Sequence, residues 1–334
     1  MSKSTTGPRP RPESTKTTKT TKTPKTSKST APAGPVRGRR HPAQAGSFRR
    51  HHPVLFALLP VGLVVAAVAT MVVIKAAGGP AQPATAATHL PAGTSTATAA
   101  ADPGTVALSP SVVAALSVPA STLDAVGAPG SVTLPSKVSG GGVARDAAGK
   151  VEITYVGAEY CPYCAAERWA IAVALSRFGT FSNLSGTHSS SSDVYPDTQT
   201  LSFYGSTYSS PDVDFQSVEE ATNQQVGGTY QTLQTPTSAQ SALVAKYDPE
   251  GSIPFLDIAN RYVVTGASFS PQVLQGLSRQ EIAAQLDDPS SPVAQAIDGT
   301  ANAITAAISA VTGNQPSAVG SSATIQGIEK QLGA

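Results

Sequence analysis

The sequence predicts an α/β domain that follows a single membrane-spanning helix. A strand, a dithiol and an Ala-rich helix lie within residues 151–178, and two more strands and a helix follow a proline at 254. Before them, residues 53–74 form a run of 22 residues without a charge. We therefore expect five segments: a disordered basic tail (1–52), a membrane helix (53–74), a linker (75–104), the α/β domain (105–315) and a C-terminal tail (316–334).

Charge is distributed unevenly along the chain. Residues 1–50 contain 13 Lys and Arg and one acid, whereas residues 76–334 contain 9 Lys and Arg and 20 acids. The basic residues belong to a Lys- and Thr-rich tail that cannot bury a core, which argues against a nucleic-acid-binding domain. Two interpretations of the tail stay open: attraction to anionic lipid or nucleic acid, and a solvated segment that only sets topology.

The run at 53–74 has the length of a membrane helix, since about 20 apolar residues cross a bilayer. Five arginines at 37–50 precede it and only Lys75 follows closely. The positive-inside rule then places the N-terminus in the cytoplasm and residues 76–334 outside. A cleaved signal peptide is the alternative, but the apolar stretch of a signal peptide is only about 7–15 residues long. The run at 53–74 is longer, with 22 residues. We expect a single-pass protein of the cell membrane that contacts lipid through this helix.

Capping residues and alternation predict the first half of the domain. Ser109 and Pro110 suit the start of a short helix. Residues 132–134 are expected to form a short strand, and 151–156 alternate apolar and polar side chains as a strand does.

The next segment, residues 165–178, is Ala-rich and free of Gly and Pro, which predicts a helix ending near Gly179. Helical spacing predicts one buried face, and Glu167 and Arg168 are expected to point outward. The residues of the buried face are Trp169, Ala172, Val173 and Ser176.

The two cysteines of the chain, Cys161 and Cys164, lie where the strand passes into the helix. The first turn of a helix has unpaired N–H groups and the positive end of the dipole, so a thiolate at Cys161 is stabilised there. Pro162 presets the helical φ. Cys164 lies one turn on, within disulfide reach, and is expected to be the more buried. This geometry permits Cys161 to attack a substrate disulfide and Cys164 to resolve the mixed disulfide.

Two other interpretations of the pair are weaker. Structural zinc needs four ligands. On the extracytoplasmic side only His89 and His188 are available as partner histidines, so we expect no metal. A structural disulfide without turnover stays open in an oxidising compartment. Exchange itself needs no organic cofactor.

The motifs resemble those of the thioredoxin-like superfamily. AEYC at 158–161 is similar to the lead-in of thioredoxins, and CPYC at 161–164 is the active-site sequence typical of glutaredoxins. GSIP at 251–254 resembles the family's Ile-cis-Pro turn. The closest likeness is to an uncharacterised family of membrane-anchored bacterial and archaeal proteins with a CPYC thioredoxin-like domain.

The resemblance implies a thioredoxin-like fold, a central mixed sheet flanked by helices, with an insertion at 183–250. Two strands at 255–258 and 262–265, and a helix with Ser278 and Glu281 as its capping box, follow the proline in the thioredoxin order. Within the insertion we expect a strand at 200–204, a loop at 189–192 and a helix at 238–247. A C-terminal helix is expected over 291–310.

The resemblance also assigns the site. Thioredoxins keep a buried acid six residues before the first cysteine, where this chain has Tyr155, so proton transfer is left to Glu159, Glu152, water or no group at all. Glu159 is alternatively an exposed loop acid. A cis Pro254 would keep metal off the dithiol and leave the Ile253 backbone to pair with an extended substrate, whereas an ordinary trans proline is the alternative. The expected site comprises the catalytic Cys161 and Cys164, the supporting Pro162, Tyr163, Glu159 and Tyr160, and the substrate-binding Ile253 and Pro254.

Two functions are consistent with these residues and motifs. The first is a membrane-anchored, extracytoplasmic thiol–disulfide oxidoreductase that exchanges with protein thiols and disulfides and has a membrane or soluble electron partner. The second is a non-catalytic thioredoxin-like binding or adaptor domain whose CxxC pair is a structural disulfide. Oxidation, reduction and isomerisation are not separated by the sequence, because direction depends on potential and partner.

Overall fold

The computed structural model describes residues 104–334. Its first elements are a short strand, β1 (Val106–Ala107), and two helices, α1 (Pro110–Ala115) and α2 (Ala120–Val126). The Ser109 hydroxyl accepts a hydrogen bond from an N–H of the first turn and caps α1, as the sequence predicts.

The prediction of a strand at 132–134 is wrong. There the Thr133 N–H donates to the Ser268 carbonyl at 2.8 Å, outside any sheet. The strand that does form, β2 (Ser136–Lys137), lies further along the chain.

A five-stranded mixed sheet forms the centre of the described part of the chain. From one edge to the other the order is β2, β12 (Tyr262–Thr265), β11 (Phe255–Ile258), β3 (Val151–Gly157) and β8 (Val213–Glu219). β3 is parallel to β8 and antiparallel to β11, and β12 is antiparallel to both β11 and β2.

Helices cover both faces of this sheet, because its inner strands carry apolar side chains on both sides. On one face Tyr155 belongs to the main core together with helices α3 (Pro162–Leu175) and α6 (Pro292–Thr312). On the other face Val156 belongs to a smaller core under helix α4 (Ser238–Tyr247). The predicted mixed sheet flanked by helices is confirmed, as is the helix predicted at 238–247.

Residues 183–250, the predicted insertion, supply β8 to the central sheet and also build small sheets. The strand predicted at 200–204 forms as β6 (Gln199–Ser202), which lies outside the central sheet; the Thr200 hydroxyl donates to the Ala165 carbonyl of α3 at 2.6 Å. The small sheets are β1-β5-β6, β4-β7 and β9-β10, built from β4 (Thr180–Ser182), β5 (Ser185–His188), β6 (Gln199–Ser202), β7 (Thr207–Ser209), β9 (Ala221–Val226) and β10 (Thr229–Thr232).

After β12 the chain forms a 3₁₀ turn (Pro271–Leu274) and helix α5 (Arg279–Gln285) before it enters α6. Ser278 and Glu281 form the predicted capping box of α5. Ser291 caps α6, so the C-terminal helix begins where the sequence predicts.

The segment predicted as a C-terminal tail folds onto the domain. It forms helices α7 (Ser317–Gly320) and α8 (Ala323–Gln331). Ile325 and Ile328 of α8 are 0% and 2% exposed and belong to the main core with α6. This apolar spacing of three residues provides the buried stripe that holds α8 in place.

Between residues 104 and 334, no helix is both long and apolar enough to cross a membrane. The predicted tail, membrane helix and nearly all of the linker lie outside the described residues.

Candidate functional site

The dithiol lies at the start of α3, where β3 ends. Cys161 is the N-cap residue, and its sulfur accepts a hydrogen bond from the Cys164 N–H at 3.2 Å. Pro162 occupies the first helical position, which needs no N–H. The backbone therefore directs an unpaired helix N–H at the Cys161 sulfur, as the sequence predicts.

Pro254 brings a second chain segment to the same sulfur. The Ile253–Pro254 peptide bond is cis, and the Ile253 carbonyl oxygen lies 3.8 Å from the Cys161 Sγ. The Ile253 N–H makes no backbone hydrogen bond within residues 104–334. The two substrate-binding residues that the resemblance implies thus lie beside the dithiol.

The two sulfurs are both buried, but their thiol pKa values are shifted in opposite directions. Cys161 is 5% exposed and Cys164 is 0% exposed, and no disulfide joins them. The hydrogen bond from the Cys164 side chain lowers the pKa of the Cys161 thiol, with further help from the Cys164 N–H and the Arg168 charge. Burial raises the pKa of the Cys164 thiol well above its ordinary value. Cys161 is thus the better nucleophile of the pair.

Behind the dithiol lies a buried charge cluster of Glu159, Arg168 and Glu219, each 0% exposed. The Arg168 Nε and Nη2 atoms donate to the two Glu219 carboxylate oxygens, each at 2.8 Å. Nη2 also donates to the Ala158 carbonyl at 2.7 Å and lies 3.4 Å from Glu159 Oε2. The Arg168 guanidinium is therefore the common ion-pair partner of the Glu159 and Glu219 carboxylates.

The cluster is balanced when the two carboxylates share one proton. Burial raises the pKa of both Glu159 and Glu219, and the Arg168 charge opposes the shift. The Ser202 hydroxyl donates to the other Glu159 oxygen. An uncompensated second negative charge in this interior would be costly, so the pair titrates as a unit.

Tyr155 links the cluster region to the resolving cysteine. A Cβ at Gly157 would lie 2.2 Å from the Tyr155 hydroxyl oxygen and 3.1 Å from the Cys164 sulfur, so both atoms lie close to the Gly157 backbone. Burial raises the pKa of the Tyr155 phenol, and the Arg168 charge lowers it. Glycine at 157 is required because any larger side chain would push these groups apart.

The prediction that Glu167 and Arg168 point outward is wrong. Both are 0% exposed, because α3 is covered by the central sheet, by α6 and by the β1-β5-β6 sheet. Glu167 accepts hydrogen bonds from the Ser268 N–H at 2.8 Å and the Ser268 hydroxyl at 2.9 Å. Glu159, weighed as an exposed loop acid, is buried as well.

Two tyrosines of the motif contact tyrosines from the 183–250 segment. Tyr160 stacks on Tyr230 with ring centroids 4.2 Å apart and planes 5° apart. Tyr163 meets Tyr195 edge to face at 5.9 Å and remains 41% exposed. The insertion therefore forms part of the surface around Cys161.

A family model described as "Domain of unknown function (DUF929)" matches residues 136–310, more than half of the chain. The chain belongs to the DUF929 family. Searches among curated proteins and among solved structures returned no match. The matched range contains the dithiol, Pro254 and the whole charge cluster of this DUF929 domain.

No part of the DUF929 domain described between 104 and 334 gathers three or more His, Cys, Asp or Glu side chains in a geometry that could hold a metal ion. His188 lies in β5, where its Nδ1 is 2.8 Å from the Ser189 carbonyl oxygen. His89 lies outside the described residues.

Sequence reasoning missed the partners that the DUF929 domain brings to the dithiol from afar. Glu219 pairs with Gly157 across the parallel β3 and β8 strands. Ser202 and Tyr230 come from separate small sheets. One signal was present: Arg168 lies four residues after Cys164, which is one helical turn and the same face.

Proposed function

We propose that this protein is a thiol–disulfide oxidoreductase in which Cys161 attacks and Cys164 resolves. The observation that carries the proposal is the placement of the Cys161 sulfur, which lies between the N–H groups of the first turn of α3 and the cis Ile253–Pro254 bond. A helix start lowers a thiol pKa, and an adjacent free backbone segment provides a place for an extended substrate.

The order of elements supports a thioredoxin-like fold for the domain. A β3–dithiol–α3 unit is followed, after Pro254, by the antiparallel β11–β12 pair and then α5. This is the order that the motif resemblance implies. Residues 183–250 then stand as the insertion between the dithiol helix and the cis-proline strand.

The exchange needs no group beyond the protein and its substrate. The Cys161 thiolate attacks one sulfur of a substrate disulfide, forms a mixed disulfide and releases the other substrate sulfur as a thiolate. The Cys164 thiol then loses its proton and attacks the Cys161 sulfur. The second substrate thiolate leaves, the Cys161–Cys164 disulfide forms, and the substrate has gained two electrons. In reverse the same steps oxidise a dithiol.

The buried charge cluster would manage the proton of Cys164. The Arg168 charge favours the thiolate form of Cys164, while burial disfavours it. The Glu159–Glu219 pair can take up a proton, because its two carboxylates face the single positive charge of Arg168. It would accept the proton that Cys164 loses during resolution, directly or through the Tyr155 hydroxyl or water.

The setting we propose is outside the cytoplasm, tethered by the apolar segment 53–74. Five arginines at 37–50 before that segment, and only Lys75 close after it, favour this orientation. Partners would be protein thiols and disulfides, with an electron carrier in the membrane or in solution. Protection of a C-terminal tag from protease in intact spheroplasts would contradict the orientation.

Trapping of mixed disulfides tests the proposal. Cys164→Ser should accumulate covalent adducts with a denatured substrate protein that carries disulfides, because Cys161 attacks and nothing resolves the bond. Cys161→Ser should accumulate few. Equal trapping by both variants, or trapping by neither, would instead support a binding domain with a structural disulfide.

A further inference from the structure

A cavity of about 290 Å³ opens on the face of the sheet that carries α4, and Ile253 is one of its lining residues. Its size is at the lower limit for a small-molecule site and suits a single large side chain. Its lining includes Val156, Phe255, Glu220, Asp248, Ser252 and Ile253.

The cavity lies within reach of a substrate bound at the cis-proline turn. Ile253 lines it, and the carbonyl of the same residue is 3.8 Å from the Cys161 sulfur. A substrate strand paired with the Ile253 backbone would point alternate side chains to the same side. A side chain near the substrate cysteine would therefore enter this cavity.

The cavity has an apolar floor and an acidic rim. Val156 and Phe255 form the floor, and Glu220 and Asp248 are its only charged lining residues within the described range. The Asp248 carboxylate is held by the Ser252 N–H at 2.6 Å. The nearby Lys246 does not compensate this rim, because its Nζ lies over the Tyr247 ring at 4.5 Å and it does not line the cavity.

Glu220 is the rim residue that lacks a partner among the described residues. Its N–H donates to the Gly157 carbonyl at 2.7 Å, which fixes its position next to the dithiol loop. Across residues 104–334, its carboxylate makes neither an ion pair nor a side-chain hydrogen bond. Burial alone raises its pKa, as expected for a half-buried acid without a cation.

We infer that this cavity is a substrate subsite for a lysine or arginine side chain close to the reacting cysteine of a polypeptide. The aliphatic stem would cover Val156 and Phe255, and the cation would pair with Glu220 at the rim. The inference rests on the proposed function and adds a class of substrate to it. A second cavity on the other side of Ile253, next to Tyr163, has no charged lining among the described residues and would give no such preference.

The test uses three short peptides that carry one cysteine as a mixed disulfide with a chromogenic aromatic thiol. They differ only at the position two residues from the cysteine, which is lysine, norleucine or glutamate. The full chain in its reduced form attacks the peptide sulfur, and released aromatic thiol gives the rate. We expect the lysine peptide to react about fivefold faster than the norleucine peptide, which corresponds to about 1 kcal/mol, and the glutamate peptide to react slowest.

Two variants separate local pairing from general electrostatics. Glu220→Gln should bring the lysine-to-norleucine ratio close to one, whereas Glu281→Gln removes the same charge from an exposed residue whose sequence neighbours do not line the cavity, and should keep the ratio. Equal rates for the lysine and norleucine peptides in the unmodified protein would overturn the subsite and leave the oxidoreductase proposal intact. A ratio that survives Glu220→Gln would also overturn it. Failure of every peptide to react would overturn both proposals.

Discussion

Arg168 lies at the junction of the dithiol and the two buried carboxylates. It follows Cys164 by one helical turn, and its charge favours the thiolate form of both cysteines. Glu219 holds the same guanidinium through two hydrogen bonds of 2.8 Å. The field at the sulfurs therefore depends on how many protons the Glu159–Glu219 pair binds.

Replacement of Glu219 by glutamine tests this dependence. The amide keeps an oxygen for Arg168 but cannot ionise, so the cluster can no longer gain a second negative charge as pH rises, and the pKa of Cys161 should fall. Resolution by Cys164 should slow by at least about tenfold, because part of the proton acceptor is lost. Alkylation of Cys161 against pH and the decay of a preformed mixed disulfide measure the two effects.

The matched control for Glu219→Gln is Glu250→Gln, which removes an exposed acid. A purely structural role of Glu219 would lower the free energy of unfolding yet leave the alkylation profile unchanged. That result would remove the charge cluster from the mechanism.

At this scale the sequence predicts the reactive pair and misses its surroundings. The positions of Cys161 and Pro254 follow from local motifs. Arg168 does not, because helical periodicity assigns it to a solvated face, whereas α3 is buried on all sides from Cys164 to Leu175. Glu219 reaches the site by parallel pairing of β8 with β3, a contact between strands far apart in the chain.

At the scale of elements, the structure follows local patterns where capping or alternation is strong. β3, α4, β11, β12 and the start of α5 agree with the sequence. The sequence does not identify β8 as the neighbour of β3 in the central sheet, because TLSFY at 200–204 is as strand-like as the β8 sequence and only tertiary pairing selects between them. The C-terminal helices were missed because Gly and Ser at 320–322 resemble a loose end.

Helix α8 should contribute to stability if it belongs to the domain. Ile325→Ala would leave a cavity against α6 and lower the free energy of unfolding by about 2–4 kcal/mol. Chemical unfolding of the purified chain measures this. Val226→Ala, at a side chain that is 63% exposed, is the control and should change stability by less than about 0.5 kcal/mol. Equal effects of the two substitutions would mean that α8 is not held in the core.

At the scale of the whole molecule, stability should fall as pH rises from about 4 to about 8, because one acid is buried without a cation. Asp298 in α6 is 0% exposed, and neither carboxylate oxygen has a hydrogen-bond partner in the described range 104–334. Burial, and secondarily the Asp287 charge, raise its pKa to about 8. An unfolded aspartate has a pKa of about 3.9, so the folded state binds this proton more tightly. The stabilisation is complete at low pH and is lost as pH rises through about 8.

Asp298→Asn should remove this dependence. The free energy of unfolding of the unmodified protein should fall relative to that of the variant between pH 5 and pH 8, by about 1 kcal/mol or more. Asp288→Asn makes the same change at an exposed acid whose pKa is lowered by hydrogen bonds from Ser290. The difference in free energy of unfolding between this variant and the unmodified protein should be the same at pH 5 and pH 8. A constant gap between Asp298→Asn and the unmodified protein at both pH values would contradict the buried-acid account.

The central claim is that Cys161 is a reactive thiol. The most direct measurement is alkylation of the fully reduced chain across a range of pH from about 4 to about 10, with the modified residue identified by mass spectrometry. We predict one fast site, Cys161, with a pKa below the ordinary value of about 8.5 for a free thiol, and a Cys164 that stays unmodified until the protein unfolds. Equal and slow modification of both cysteines, with an ordinary pKa, would contradict the account and leave the pair as a structural disulfide.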